Sequence, residues 1–547
     1  YAALGANTTG TQNVAVGTNA LNANTTASIN TAVGYNSLKA NTTGSSNIAV
    51  GTNTLDANTI GFQNVAVGVN ALGTNIEGDQ NTAIGHAALA VYTGNKNTAI
   101  GHGTLSSTTT GGNNTALGFA GLNQNTTGTD NTALGYQALD ANTTAAFNTA
   151  VGSNALGVNT TGTQNTAVGA YALDASNGNY ITAIGVNALS DNTSGGNNTA
   201  VGVQALYRNT TANNNTAIGF RALDQNTTGT QNVAIGAYAL DANTTANNNT
   251  AVGYQSLSVN TTGHNNVALG YNSLLANTSG VQNVAVGNSS LDSNTTGLNN
   301  VGVGFNSLAG NTSGNFNVAI GVNALLSITG NSSCTAVGSL ALENNTASIN
   351  TAVGHKALRA NTTASFNTGV GDQALMANTT GQKNTAVGGY SLDSCTTGSF
   401  NTAIGLQALT AATTASNNTA VGQYSGALVT TGNGNTSVGQ ASLSSTTTGY
   451  NNVAIGQYAL RVNDDGHSNT AVGYKALDGN TSAAGNTAVG KEALLSNTTG
   501  SSNTALGTGA GYNITTSSEN TAIGSASLNQ STTGPQNTAI GRLCMYH

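Results

Sequence analysis

Apolar and polar positions alternate along this chain in short runs that return at a fixed interval. In the run Asn13–Gly17, two valines flank Ala15, and the same arrangement recurs about every 17 residues. Alternation with a period of two is typical of β-strands, and Thr and Val exchange freely at the first apolar position, as β-branched residues do on a pleated surface. The pattern predicts one short β-strand per repeat, followed by a second short strand that ends in Leu.

A glycine closes the apolar run of every repeat, in pentapeptides such as NTAVG, and 32 such glycines run from Gly17 to Gly541. Of the 31 intervals, 28 are 17 residues long and three are 16, the short ones ending at Gly101, Gly185 and Gly354. A unit of this length is too short for the helix pairs of α-solenoids, which need about 34 residues. The sequence therefore predicts an all-β fold, a parallel β-solenoid (a β-roll or β-helix) with one 16–17-residue coil per repeat.

The repeat covers nearly the whole chain. We expect residues 1–541 to form one continuous solenoid of about 32 repeats, and residues 542–547 to form a C-terminal tail. Coils stacked at the strand spacing of about 4.8 Å predict a rod on the order of 150 Å long. The chain opens at Tyr1 in the middle of a repeat and without Met, so we expect a mature or partial chain.

The apolar columns predict the core. Val, Ile or Leu precedes the repeat glycine in all 32 copies, and Leu stands four residues after it in 29. We expect these positions to form buried columns, represented by Val16, Val33, Val50, Leu21 and Leu38. The repeat glycine is never replaced, so it is expected to need a positive φ or a close backbone approach. The glycine of the NTTG segment is often replaced by Ala and carries no such requirement.

The position between the two β-branched residues points to an oligomer. It is Ala in 29 of 32 repeats, as at Ala15, Ala32, Ala49, Ala66 and Ala83, and a position confined to small residues is closely packed. If the Val and Leu side fills the chain's own core, a neighbouring chain covers the Ala side, which predicts a homo-oligomeric rod and, most simply, a homotrimer. The alternative is a single chain whose narrow coil admits only Ala at a tight bend.

Composition explains the corners and excludes several functions. Asn and Thr fill the corners, where stacked amides can chain donor to acceptor while stacked charges would repel, and only 5% of residues are charged. Eleven scattered Lys and Arg residues and a net charge of −7 do not make a nucleic-acid-binding surface. No apolar run approaches the roughly 18 residues of a membrane span.

No residue is a candidate for catalysis, cofactor binding or a metal site. His86 and His102 are expected to stack as two solvated histidines, and the acidic segment Asn463–His467 is interpreted as a variant corner. The aspartates that recur after the Leu are interpreted as a solvated rim. Cys334 and Cys395 lie three coils apart, about 14 Å, too far for a disulfide between them. Corner asparagines that match the N-glycosylation sequon include Asn7, Asn24, Asn41, Asn125 and Asn260.

The pentapeptides NTAVG, NVAIG and NTALG resemble the head repeats of YadA-type trimeric autotransporter adhesins. The longer unit, as in Asn131–Asp140 and Asn469–Asp478, is similar to the repeat shafts of phage tail fibres and bacterial surface proteins. The resemblance implies a β-roll rod of three chains. The adhesin repeat is about 14 residues long, not 17, so the shape of the coil is open.

The pattern and the resemblance together predict a structural protein and not an enzyme. We expect the shaft of an extracellular or virion fibre (an adhesin, tail fibre or surface filament) that gives attachment or reach, located outside the cell, on its surface or on a virion. Its expected partners are further copies of the chain, as oligomer or filament, and a cell-surface receptor or glycan. The alternative is a solenoid that binds ice or carbohydrate through Thr and Asn ladders in the NTT corners.

Overall fold

The computed structural model describes residues 2–530 and 533–546. Within these ranges it contains 32 β-strands of three residues each, paired in parallel, and no helix. The chain divides into two compact units, Tyr1–Asn272 and Ser273–His547, and each is a parallel β-solenoid with one coil per repeat. The fold class predicted from the repeat is confirmed.

The first unit contains the first sixteen strands. They are β1 (Val14–Val16), β2 (Thr31–Val33), β3 (Ile48–Val50), β4 (Val65–Val67), β5 (Thr82–Ile84), β6 (Thr98–Ile100), β7 (Thr115–Leu117), β8 (Thr132–Leu134), β9 (Thr149–Val151), β10 (Thr166–Val168), β11 (Thr182–Ile184), β12 (Thr199–Val201), β13 (Thr216–Ile218), β14 (Val233–Ile235), β15 (Thr250–Val252) and β16 (Val267–Leu269).

The second unit contains the other sixteen. They are β17 (Val284–Val286), β18 (Val301–Val303), β19 (Val318–Ile320), β20 (Thr335–Val337), β21 (Thr351–Val353), β22 (Thr368–Val370), β23 (Thr385–Val387), β24 (Thr402–Ile404), β25 (Thr419–Val421), β26 (Thr436–Val438), β27 (Val453–Ile455), β28 (Thr470–Val472), β29 (Thr487–Val489), β30 (Thr504–Leu506), β31 (Thr521–Ile523) and β32 (Thr538–Ile540).

Successive coils pair with equivalent residues in register. Ala150 of β9 lies beside Ala167 of β10, and Val151 lies beside Val168. Backbone hydrogen bonds between coils continue outside the strands; the N–H of Leu139, for example, donates to a carbonyl of the next coil at 3.0 Å. Every side chain therefore meets its own counterpart above and below, which is why the composition is so uniform.

A turn replaces the second strand, so that part of the sequence prediction is wrong. After Gly135, with φ +141°, Gln137 has φ +52° and Leu139 has φ +53°. Left-handed residues at alternate positions reverse the chain within a few residues and bring the Leu side chain to the inside. Both expectations for the repeat glycine are confirmed, because a Cβ built on Gly135 would also lie 2.4 Å from the carbonyl oxygen of Gly152.

The interior of the coil is filled by the strand Ala and the turn Leu. Leu21, Leu38 and Ala49 are completely buried. A Cβ built on Gly369, which stands in the Ala column, would lie 3.4 Å from the side chain of Leu358 in the same chain. The coil is so narrow that the inward position of the strand meets the turn directly, which leaves room for little more than one methyl group.

The aliphatic residues beside the Ala therefore point outwards. Burial of Leu21 and Leu38 is confirmed, but the predicted burial of Val16, Val33 and Val50 is wrong, since Val16 is 57% exposed, Val50 is exposed and Val33 is half-buried. The inference of a neighbouring chain from the Ala column is also wrong, because the chain's own atoms cover that column. Ala15 is half-buried in the first coil, and the following alanines are fully buried: Ala32, Ala49, Ala66 and Ala83.

Two columns of asparagine complete the interior, and the first lies at the NTT corner. Asn142 is fully buried, and its Nδ2 donates to Oδ1 of Asn125 in the preceding coil at 2.9 Å and to the carbonyl of Ala145 at 3.1 Å. The predicted chain of amides is confirmed. It lies inside the coil and satisfies backbone carbonyls there, which an exposed corner would leave to water.

The second Asn column precedes the strands. Nδ2 of Asn148 donates to the carbonyl of Gly162 at 2.9 Å, and its Oδ1 accepts the backbone N–H of Asn165 at 3.0 Å. Each amide thus replaces a backbone hydrogen bond where the chain turns into the strand. Cys334 occupies this column in one coil, with its N–H donating to Oδ1 of Asn317 at 3.0 Å.

The left-handed position before the second Asn column gives a stability prediction. Ile349 is exposed with φ 59°, a conformation that costs an L-residue about 1–2 kcal/mol and that Asn tolerates better. Because Ile349 is 48% exposed, little burial is lost, and we expect Ile349→Asn to raise the free energy of unfolding by about 1 kcal/mol, measured by urea denaturation. The reciprocal change Asn197→Ile, at an equivalent exposed position with φ 56°, should lower it by a similar amount. A change of the same sign in both variants would contradict the conformational explanation.

Candidate interaction surfaces

The outward side chains of the strands form a surface on each unit that we call the sheet face: the first and third residues of every strand. The first residue is Thr in 23 strands and Val or Ile in the other nine, and the third is Val, Ile or Leu in all 32. No charged or amide side chain occupies either position in any described strand. Soluble proteins rarely expose a large contiguous surface without charges unless it binds something, so the sheet face is the strongest candidate for an interaction surface.

The hydroxyl groups of the sheet face differ from those of the corners. In the corners, Oγ1 of Thr126 donates to the carbonyl of Thr143 at 2.9 Å, and Oγ1 of Thr143 donates to the carbonyl of Thr160 at 3.3 Å. The hydroxyl of Thr149, on the sheet face, has no hydrogen-bond partner among the described residues. The first Thr of these corners therefore helps to hold coils together. Among the described residues, unbonded hydroxyls remain on the strands and on the exposed second threonines of the corners, such as Thr127 and Thr144.

In the second unit, three consecutive strands are aliphatic at both outward positions. We call the outward residues of these strands, β17, β18 and β19, the valine patch: Val284, Val286, Val301, Val303, Val318 and Ile320. Phe305 and Val322, each directly after a repeat glycine, are also exposed beside it. This stretch resembles the apolar centre of a protein interface more than the Thr-containing coils do.

Aromatic residues that follow the repeat glycine stack along the axis. The rings of His86 and His102 are nearly parallel with centroids 5.0 Å apart, which confirms the predicted stacking, and the series continues through Phe119 and Tyr136 at 5.2 and 5.5 Å. In the described part of the chain, no group of three or more His, Cys, Asp or Glu side chains is placed to hold a metal ion.

The aspartates five residues after the repeat glycine are not a solvated rim, so that interpretation is wrong. Asp224 is buried and its Oδ2 accepts from Nη2 of Arg221 at 2.7 Å, while Asp478 is buried beside Arg461, whose Nε donates at 2.8 Å. The remaining six are half-buried between stacked turns: Asp56, Asp140, Asp174, Asp241, Asp292 and Asp393. The turns are short, so the carboxylates lie against neighbouring coils instead of extending into water.

Burial of these carboxylates predicts how stability depends on pH. Desolvation raises the pKa of five of them above the ordinary 3.8: Asp56, Asp140, Asp174, Asp241 and Asp292. A raised pKa in the folded state means that the folded chain binds protons more readily than the unfolded chain, so this contribution is greatest below pH 3.8 and is lost as the pH rises through the folded-state values. We therefore expect the melting temperature to rise between about pH 7 and pH 4. Changing all five to Asn should flatten this part of the profile; a melting temperature that falls on acidification would contradict it.

The remaining sequence candidates have structural roles. Asn463 is buried in the corner column and donates to the carbonyl of Gly466 at 2.9 Å, so the segment Asn463–His467 is a variant corner. Cys395 is free and buried in the same column, and burial raises its pKa to about 11, which makes it a poor nucleophile. Of the sequons named above, Asn7 is exposed and four are fully buried with no room for a glycan: Asn24, Asn41, Asn125 and Asn260.

No protein-family model matches the chain, and no curated protein matches it. Among the described residues, no helix has the length and apolar character needed to cross a membrane.

The sequence carries a signal for the sheet face, although the same signal is also compatible with a buried column. The signal is that the residues flanking the strand Ala are never charged in any of the 32 repeats. Such exclusion occurs both in a buried column and in a contact surface, and the period of two does not distinguish the two faces of a strand. The size of the middle residue distinguishes the two faces, because only the Ala side fits inside a coil of 16 or 17 residues.

Proposed function

We propose that this chain is the structural repeat shaft of an extracellular or virion fibre, an adhesin, tail fibre or surface filament that provides attachment or reach. The observation that supports it most is the self-sufficient coil. In each unit the Ala and Leu columns fill the interior, and the two Asn columns pair its polar groups from coil to coil. Such a unit can be repeated to any length without a change of design, as a spacer requires.

Self-association is part of the proposal, and the valine patch supports it. Val303 and Ile320 are outward residues of adjacent strands, and Phe305, two residues after Val303, is also exposed. Covering these side chains with a second copy would bury aliphatic surface at no cost in unpaired hydroxyls. Three chains per rod is the number that the resemblance to trimeric adhesin heads suggests.

Electron microscopy and light scattering test the shaft. We expect unbranched rods with a contour on the order of 150 Å, and a molar mass that is an integral multiple, three in the simplest case, of the 53.8 kDa chain. Compact particles would contradict the shaft, and a monomeric mass would contradict self-association alone.

A charge placed on the valine patch tests where copies meet. The triple variant Val286→Lys, Val303→Lys and Ile320→Lys should dissociate the oligomer, since each buried unpaired charge costs several kcal/mol. The matched control places three lysines in the exposed corners of the same coils, at Ser279, Thr296 and Ser313, and should leave the mass unchanged. Equal dissociation of both variants would show that added charge, not its position, is responsible.

A further inference from the structure

The sheet face of the first unit contains a second type of surface, the threonine run. Nine consecutive strands, β5 to β13, begin with Thr and end with Val, Ile or Leu. The hydroxyls of all nine have no hydrogen-bond partner among the described residues, and the residues are half-buried or exposed: Thr82, Thr98, Thr115, Thr132, Thr149, Thr166, Thr182, Thr199 and Thr216. First threonines in the corners of these coils, such as Thr109, Thr126 and Thr143, donate to the next coil instead.

The identity of the first residue indicates what covers this run. Val and Ile replace Thr at this position in nine other strands, so the fold accepts either. Under a dry interface, each unpaired hydroxyl would cost about 1–3 kcal/mol, and Val would be the better residue. A column of nine threonines suits a partner that can pack against a methyl group and form a hydrogen bond with a hydroxyl in every coil.

The threonine run is an uncharged array with a regular repeat. Hydroxyls repeat about every 4.8 Å along the axis, and the aliphatic row lies two residues along each strand, about 6.6 Å away. Nine coils give an array on the order of 40 Å long with no charge in it. A rigid array of this kind fits a surface of ordered, uncharged hydrogen-bonding groups with a similar repeat.

We propose that the threonine run binds the ordered water of an ice surface. Methyl and aliphatic groups hold water in cages around them, and the free hydroxyls join those cages at regular intervals, so the bound layer matches a crystalline lattice and not bulk water. The inference does not depend on the fibre proposal. It also places the hydroxyl array on the strands, whereas the NTT corners, where the sequence suggested it, have their first hydroxyls bonded within the solenoid.

A second copy and a crystalline polysaccharide are the competing occupants. Two copies would bury the hydroxyl column, and the valine patch offers them a better surface. Polysaccharide surfaces are commonly bound by exposed aromatic rings, and rings follow the repeat glycine in only five of these nine coils: His86, His102, Phe119, Tyr136 and Phe220. The threonine hydroxyls and aliphatic groups continue through all nine coils, with or without a ring beside them, which favours ice.

The test uses the full chain in three forms. The wild type should partition into a slowly growing ice hemisphere and lower the freezing point below the melting point. The variant Thr132→Lys, Thr149→Lys and Thr166→Lys should lose both effects to the level of a non-binding protein, with its β circular dichroism retained. The matched control carries Lys at Thr127, Thr144 and Thr161, the exposed second threonines of the preceding corners, and should bind ice as the wild type does.

Milder variants keep the test independent of folding. Thr→Val at the same three strand positions copies residues that the chain already accepts in β14 and β16, so it removes hydroxyls without disturbing the coil, and ice binding should weaken. The proposal is overturned if the wild type is excluded from ice or if the corner variant loses binding equally. It is also overturned if the strand variant changes the molar mass of the protein, which would identify a chain–chain interface, or if the wild type adsorbs to crystalline cellulose and not to ice.

Discussion

Replacing Gly135 with Ala is expected to lower the free energy of unfolding by about 3 kcal/mol or more. The φ of +141° belongs to a region that only glycine enters readily, and the new Cβ would lie 2.4 Å from the carbonyl oxygen of Gly152. That contact is with the backbone of the next coil, which cannot move without breaking its own hydrogen bonds. A fall in the urea midpoint, together with a new site of limited proteolysis near this coil, would measure the effect.

The neighbouring coil supplies a matched control in Gly121→Ala. Gly121 has no positive φ, and its added Cβ would first meet a side-chain methyl of Thr104 at 3.5 Å, an ordinary contact. Other coils already have Ala in this column, as at Ala138 and Ala155. We expect a change within about 0.5 kcal/mol. Similar losses in the two variants would mean that any added methyl group destabilises the coil, and that the conformation of the repeat glycine is not the cause.

The fold class was predictable because the repeat constrains it so strongly. Equivalent residues must stack, so the spacing of the glycines gives the coil length, and Leu21 and Leu38 give one wall of the core. The strand faces were not predictable from alternation alone, since shifting the inward side from Val16 to Ala15 leaves the period unchanged. The width of the coil decides which side of the strand faces inwards. A coil of 17 residues has room for Leu on one wall only if the opposite wall is Ala.

The interaction surfaces were missed for the same reason. Placing Val and Thr on the inside of the coil predicts no exposed strand surface, so only the corners are left as a place for free hydroxyls. The half-buried aspartates were also unpredictable, because their environment depends on the left-handed turn that replaces the expected second strand. Asn columns were recognised correctly as ladders, although their place inside the coil follows only from hydrogen bonds to carbonyls such as those of Ala145 and Gly162.

The substitution Asn148→Asp is expected to have a comparable or larger effect, with a characteristic dependence on pH. The carboxylate keeps an acceptor for the N–H of Asn165, but it loses the donor to the carbonyl of Gly162 and places a charge at a fully buried site. Leaving one buried charge unpaired costs several kcal/mol, so we expect a loss of about 3 kcal/mol or more at pH 7. On acidification the protonated carboxyl can donate to the carbonyl again, and the difference from the wild type should shrink.

The pH dependence of the difference in unfolding free energy distinguishes two explanations for the loss. One is a buried charge in the hydrogen-bonded Asn column, and the other is a poorer fit of the new side chain. The wild type itself should become more stable on acidification, so the quantity to follow is the gap between the two unfolding free energies at about pH 7 and pH 4. Asn213→Asp is the control: Asn213 is exposed, its Oδ1 accepts the N–H of Gly196 at 2.6 Å, and a carboxylate can do the same in contact with water. This control should show little loss and a gap that does not vary with pH. A gap for Asn148→Asp that stays constant between the two conditions would show that the buried amide acts by filling space, because only a charge, and not a misfit of shape, is relieved by a proton.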